Sequence, residues 1–130
     1  DDLMLENVLF GAVGWVSGLT NTFPRESVEM YRLATTGKTA EALELYRWFM
    51  PLLHLDVAVK LVQYIKLAEH LVYGAPEHVR KPRLPIEGEE RARVEGVIRQ
   101  KSMSGEIALP IDMGDGGGGE EAPAAVEEEA

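Results

Sequence analysis

The chain has 130 residues, 45% of them hydrophobic, with 13 Lys and Arg against 22 Asp and Glu and no cysteine. That length suits one domain with a modest core, and the lack of cysteine excludes disulfides, thiolate zinc sites and a cysteine nucleophile, in keeping with a reducing compartment. The net charge of −9 is uneven: residues 101–130 carry eight acids against Lys101 alone, so residues 1–100 hold only −2 and no basic stripe for nucleic acid.

Asp1 and Asp2 precede Leu5, Val8 and Leu9, the pattern of an amphipathic helix with acids at its positive end. Gly11 and Gly14 end it. With Asp1 directly before that helix, the chain is expected to enter in the middle of a fold. The next stretch, Gly11–Pro24, is a Gly-rich apolar run in which Val13–Gly18 reads as a buried strand. An apolar strand needs neighbours on both sides, and no other segment has similar strand quality, so its partners are expected to lie elsewhere. The run breaks at Thr20-Asn21-Thr22, and Pro24 opens another helix. Helix, strand, polar loop and helix is the order of one step of a parallel α/β barrel.

The helix from Pro24 is expected to reach about Thr36, with Gly37 as its stop. Thr39 reads as the N-cap of a helix bearing Ala42, Leu45, Phe49 and Leu52, which Pro51 should kink or end near Met50. A further helix is expected from about Asp56 to Tyr73, with Val57, Leu61, Ile65, Ala68 and Val72 on one face and Gly74 as its stop. Gly74–Pro85, with three prolines, reads as an extended surface crossing, and Glu87 to about Gln100 as a last helix burying Val94, Val97 and Ile98. The tail, with Gly116–Gly119 followed by EEAPAAVEEEA, has too little apolar surface to offset its ordering entropy and reads as disordered. The longest apolar run, Val8–Leu19, is about two-thirds of a membrane span and is broken by glycines. No basic segment precedes a hydrophobic one in the manner of a signal peptide.

Little in the chain carries chemistry. Lys60 and Lys66 are the residue type that forms Schiff bases when buried, but both fall on expected helix surface and read as solvated. His54, His70 and His78 lack metal-ligand spacing, and no metal or cofactor is expected. Glu89, Glu90, Arg91 and Arg93 read as a solvated helix face, and Tyr31, Tyr46 and Trp48 as core or interface. Ser17 in Trp15-Val16-Ser17-Gly18-Leu19 fails the spacing of a nucleophile elbow. Val16, Ser17 and Gly18 at a strand's C-terminal end could either line a ligand pocket or simply pack as a tight turn.

The run DDLMLENVLFGAVGWVSGLTNTFP resembles the late barrel of the dihydrodipicolinate synthase / N-acetylneuraminate lyase family. ATTGKTAEALELYRWFMPLL is similar to that family's helix–Gly–helix step. VQYIKLAEHLVYG and VRKPRLPIEGEERARVEGVI are similar to its C-terminal helical extension. The resemblance covers about residues 1–100 and implies a (β/α)8 barrel lyase acting on 2-keto acids through a lysine Schiff base. PLLHLDVAVKLVQYIKL also resembles members that deaminate a hydroxypyrroline carboxylate. The implied organisation is mostly α with one strand: residues 1–36 as the last βα portion (helix 7, strand 8, helix 8), 37–100 as a three-helix extension, and 101–130 as the acidic tail. The resemblance puts Asp1 where an acidic residue faces the substrate, Val16 at a carbonyl lining the pocket, and Ser17 after it. Gly18 stands where some members use serine. The family's lysine nucleophile and tyrosine proton shuttle have no counterpart here, so the chain is expected to be a C-terminal fragment, inactive alone, of a cytoplasmic homotetramer. The competing expectation is a small helical interaction module, or a truncated pseudoenzyme, with an acidic partner-binding tail.

Overall fold

A computed structural model describes residues 1–103; the expected tail lies outside them. Described residues form five α-helices: α1 (Met4–Leu9), α2 (Pro24–Thr35), α3 (Thr39–Leu53), α4 (Leu61–Tyr73) and α5 (Gly88–Met103). Short 3₁₀ turns occupy Leu19–Asn21 and His54–Val57. The mostly helical expectation holds, and the strand does not. Among the described residues there is no strand: residues 12–17 carry no regular structure, and the side chains of Val13 and Val16 stand in solvent. A strand exists only as one side of a hydrogen-bonded ladder, and this segment finds no second side within residues 1–103.

Helix limits follow local chemistry with three corrections. Pro24 sits in the first turn of α2, and Gly37 beyond its end takes a φ of +76°, a conformation cheap only for glycine. The N-cap of α3 is Lys38 rather than Thr39, with no side-chain cap bond. Pro51 does not end α3 at Met50. It lies in the last turn, where its missing N–H costs one helical bond, and the helix runs on to Leu53. The expected helix start at Asp56 is also displaced. Asp56 and Val57 belong to the 3₁₀ turn, Ala58 is extended (φ −77°, ψ 155°), and α4 begins at Leu61, leaving Val57 exposed instead of on the buried face. Gly74 caps α4 at φ +71°, donating to the His70 carbonyl.

The helices pack as a layered cluster in which α2 lies against α1 and α3, and α5 covers both α3 and α4. Leu19, Met30, Phe49, Leu52, Leu67, Val94 and Ile98 are fully buried at its centre. Phe23 meets Phe49 edge to face, ring centroids 5.9 Å apart. Val94 and Ile98 are buried as the helical spacing requires, with Val97 half-buried beside them. Three tyrosines from different helices fasten the irregular N-terminal segment. Tyr31 of α2 donates to the Val13 carbonyl at 2.6 Å, Tyr73 of α4 to the Thr22 carbonyl at 2.6 Å, and Tyr46 of α3 to the Asp2 carbonyl. The Tyr46 oxygen also lies 2.8 Å from Glu6 Oε2, so its single proton is shared between the two acceptors. Burial, followed by that carboxylate partner, pushes its phenol well above the usual range.

Candidate functional site

Asp1 reaches forward to the loop that closes the Gly-rich run. The Ser17 hydroxyl donates to Asp1 Oδ2 at 2.5 Å, and the Leu19 N–H donates to the same oxygen at 3.1 Å. Bonds to a carboxylate are short and about twice as strong as neutral ones. The Ser17 oxygen in turn accepts the Thr20 N–H at 3.1 Å, and Asn21 Nδ2 donates to the Gly18 carbonyl at 2.8 Å. Asp1, Ser17 and Gly18, selected from the sequence, therefore stand together in one knot. Val16 enters it with its side chain wholly in solvent.

Asp56 joins the knot from the 3₁₀ turn between α3 and α4, and sequence reasoning missed it. Its side chain is only 9% exposed, and Oδ2 lies 3.8 Å from the Asp1 nitrogen. Burial holds its carboxyl above the ordinary aspartate value, and the Gly18 backbone pulls the other way. A Cβ placed on Gly18 would fall 2.3 Å from Asp56 Oδ1 and 2.7 Å from Ile65 Cδ1. Glycine is thus required at 18 while Asp56 keeps its place. The available signal was a lone acid in the otherwise acid-free run Leu52–Val59.

Beside the knot runs a groove of 260 Å³ lined by Trp15, Ser17, Thr20, Ser27, Val28 and Tyr31. The Trp15 and Tyr31 rings sit 5.8 Å apart, tilted by 37°. Trp15 Nε1, and Thr22 Oγ1 nearby, are buried with no hydrogen-bond partner among the described residues. The groove offers aromatic walls and hydroxyls, with the Ser17 hydroxyl committed to Asp1 and neither histidine nor lysine in the lining.

The two lysines of the central helix region are engaged elsewhere. Lys60 Nζ lies 2.5 Å from Glu90 Oε2, and that bond holds its ammonium above the usual range. Lys66 Nζ pairs with Glu69 at 2.7 Å. A Schiff-base lysine needs the opposite, a neutral amine. The histidines are dispersed: His54 faces Asp2 at 3.9 Å, His70 Nδ1 meets the Ala75 carbonyl at 2.9 Å, and His78 lines a separate cavity with Val79 and Arg91. Among the described residues no helix is long and apolar enough to cross a membrane.

This helical unit holds a part-buried serine–aspartate knot beside an aromatic groove, with Lys60 and Lys66 ion-paired away from it. Residues 1–101 match the Dihydrodipicolinate synthetase family, and the chain belongs to that family. It is 30% identical to a 4-hydroxy-tetrahydrodipicolinate synthase of Acidobacterium capsulatum, over 86% of this chain and 35% of that protein. An uncharacterized DapA-like lyase of Pyrobaculum arsenaticum is 31% identical, over 79% of this chain and 37% of its own. A 4-hydroxy-tetrahydrodipicolinate synthase of Koribacter versatilis is 30% identical, over 79% and 34%. The chain spans about a third of the length of the curated relatives it matches.

Proposed function

We propose that the chain is the C-terminal portion of a lyase that forms a Schiff base with 2-keto acids. In this reading residues 1–36 supply helix 7, strand 8 and helix 8 of a (β/α)8 barrel, and residues 37–100 a helical extension. One observation carries it. Phe10, Val13 and Val16 are 91%, 92% and 101% exposed, although Leu5 before them and Leu19 after them are buried. Apolar residues held in solvent between two packed anchors are what a barrel strand and its lead-in present when the neighbouring strands are absent. The partial coverage of the synthase relatives supports the same reading.

The chemistry then divides between this portion and the rest of the barrel. In this reading the nucleophilic lysine and the proton-shuttling tyrosine belong to the rest; Lys60 and Lys66 are engaged with Glu90 and Glu69. The imine supplies an electron sink, so bonds next to the former carbonyl can form or break. Asp1, Val16, Ser17 and Gly18 contribute pocket wall. With Ser17 donating to Asp1 and accepting from Thr20, its oxygen keeps one lone pair, and Val16 adds its carbonyl. Both are acceptors, suited to a hydroxyl or N–H on the substrate, as a hydroxypyrroline carboxylate carries. The whole enzyme in this reading is a cytoplasmic homotetramer.

The test is borohydride trapping with pyruvate followed by peptide mass spectrometry. This chain alone should acquire no adduct, whereas a protein extended through the upstream reading frame should acquire one on a lysine outside residues 1–103. A stable adduct on Lys60 or Lys66 would overturn the assignment.

A further inference from the structure

We propose that Asp56 is a positioning residue for the Ser17–Gly18 loop, its carboxylate filling the space that a side chain at position 18 would take. The proposal deepens the lyase reading and rests on it for the kinetic consequence alone.

Three observations converge on this pair. Asp56 Oδ1 lies 2.3 Å from where a Cβ on Gly18 would stand, closer than any real contact allows, so residue 18 and the carboxylate exclude each other's bulk. Asp56 is nearly buried, with its carboxylate turned toward the Gly18 backbone that it crowds. On the other flank Asp1 binds Ser17 and Leu19. The loop is therefore held between two carboxylates, one from the start of the chain and one from the 3₁₀ turn between α3 and α4. Asn21 holds the Gly18 carbonyl from the loop itself. Asp56 fills the side of Gly18 that carries no side chain, and it does so from the helical extension, 38 residues along the chain. The extension thereby sets where the Val16 and Ser17 acceptors point. A carboxylate that faces the loop and Asp1 acts on substrate through them, so its loss should weaken binding more than turnover.

A double-mutant cycle on the 130-residue chain tests the clamp. Gly18→Ala should lower the folding equilibrium constant about tenfold with Asp56 present, as overpacking does. In the Asp56→Ala background the same change should cost at least about threefold less, because the crowding oxygen has gone and only the tip of the Ile65 side chain remains to give way. Equal costs in both backgrounds would overturn the proposal. Should Gly18→Ala not fold, Asp56→Asn decides: the Gly18 and Leu19 amide resonances should shift most, and unchanged positions there would overturn it. In the extended enzyme, Asp56→Asn should raise KM for the keto acid about tenfold and leave kcat within about twofold. An unchanged KM, or a loss confined to kcat, would refute the positioning role. A coupled cycle in a protein whose wild type turns over no 2-keto acid keeps the clamp and sinks the lyase reading instead.

Discussion

Replacing Val13 and Val16 together by threonine asks whether the exposed segment is a surface made to be covered. The exchange keeps the side-chain shape and swaps one methyl for a hydroxyl at each position. Both valines are fully in solvent, so the isolated fold has nothing to lose there, and its unfolding free energy should move by no more than about 0.5 kcal/mol. Any surface that covers them gains about 1.5–3 kcal/mol for each valine fully buried, or about 3–6 kcal/mol for the pair. Part of that gain is offset by the loss of freedom on association. The chain alone should therefore self-associate through this segment, and the double variant should weaken that association at least about tenfold. Sedimentation velocity across a concentration series gives the association, and urea unfolding below the association range gives the stability. A variant that loses about 2 kcal/mol of stability as a monomer would mean that the valines are packed within the fold. Association that is untouched would mean that the contact lies elsewhere. Either result refutes the reasoning.

Asp56 supplies a pH signature. Burial raises its folded value above that of the unfolded chain, so its contribution favours the fold below the ordinary value of 3.8 and is lost as pH rises through the raised value. Asp56→Asn, which imitates the protonated form, should be more stable than the parent at pH 7. The gap should close under acid, and a gap independent of pH in urea titrations would refute the assignment. Phe49→Ala removes a fully buried ring packed edge to face on Phe23 and should cost about 3–5 kcal/mol in urea unfolding. Tyr73→Phe deletes the donor to the Thr22 carbonyl and should cost about 1 kcal/mol, with hydrogen exchange rising first around residues 20–23.

Much of the helical frame was legible because its punctuation is local. Pro24 and Gly37 bracket α2, and Gly74 stops α4, each through the backbone angle that its own residue prefers. The start of α4 was misread because Val57 falls in phase with Leu61 and Ile65, and periodicity cannot register the extended backbone at Ala58. The strand failed for a different reason. Val13–Gly18 has strand composition, but a strand is a pairing, and composition cannot supply the other side. At the site, Asp1, Ser17 and Gly18 were selected and do meet. Asp56 was missed because its meaning lies in a contact with Gly18 across 38 residues, which no local pattern encodes.

The three tyrosines that fasten the irregular segment bear on how its sequence can change. Each phenol donates to a backbone carbonyl, at Asp2, Val13 and Thr22, and every residue type offers that acceptor. These three bonds are therefore indifferent to the side chains of the residues whose carbonyls they hold. Substitutions at the exposed Phe10, Val13 and Val16 can alter what the segment shows to its surroundings without removing its attachment to α2, α3 and α4. Such an arrangement keeps the course of the chain constant while the character of its outer face is free to drift.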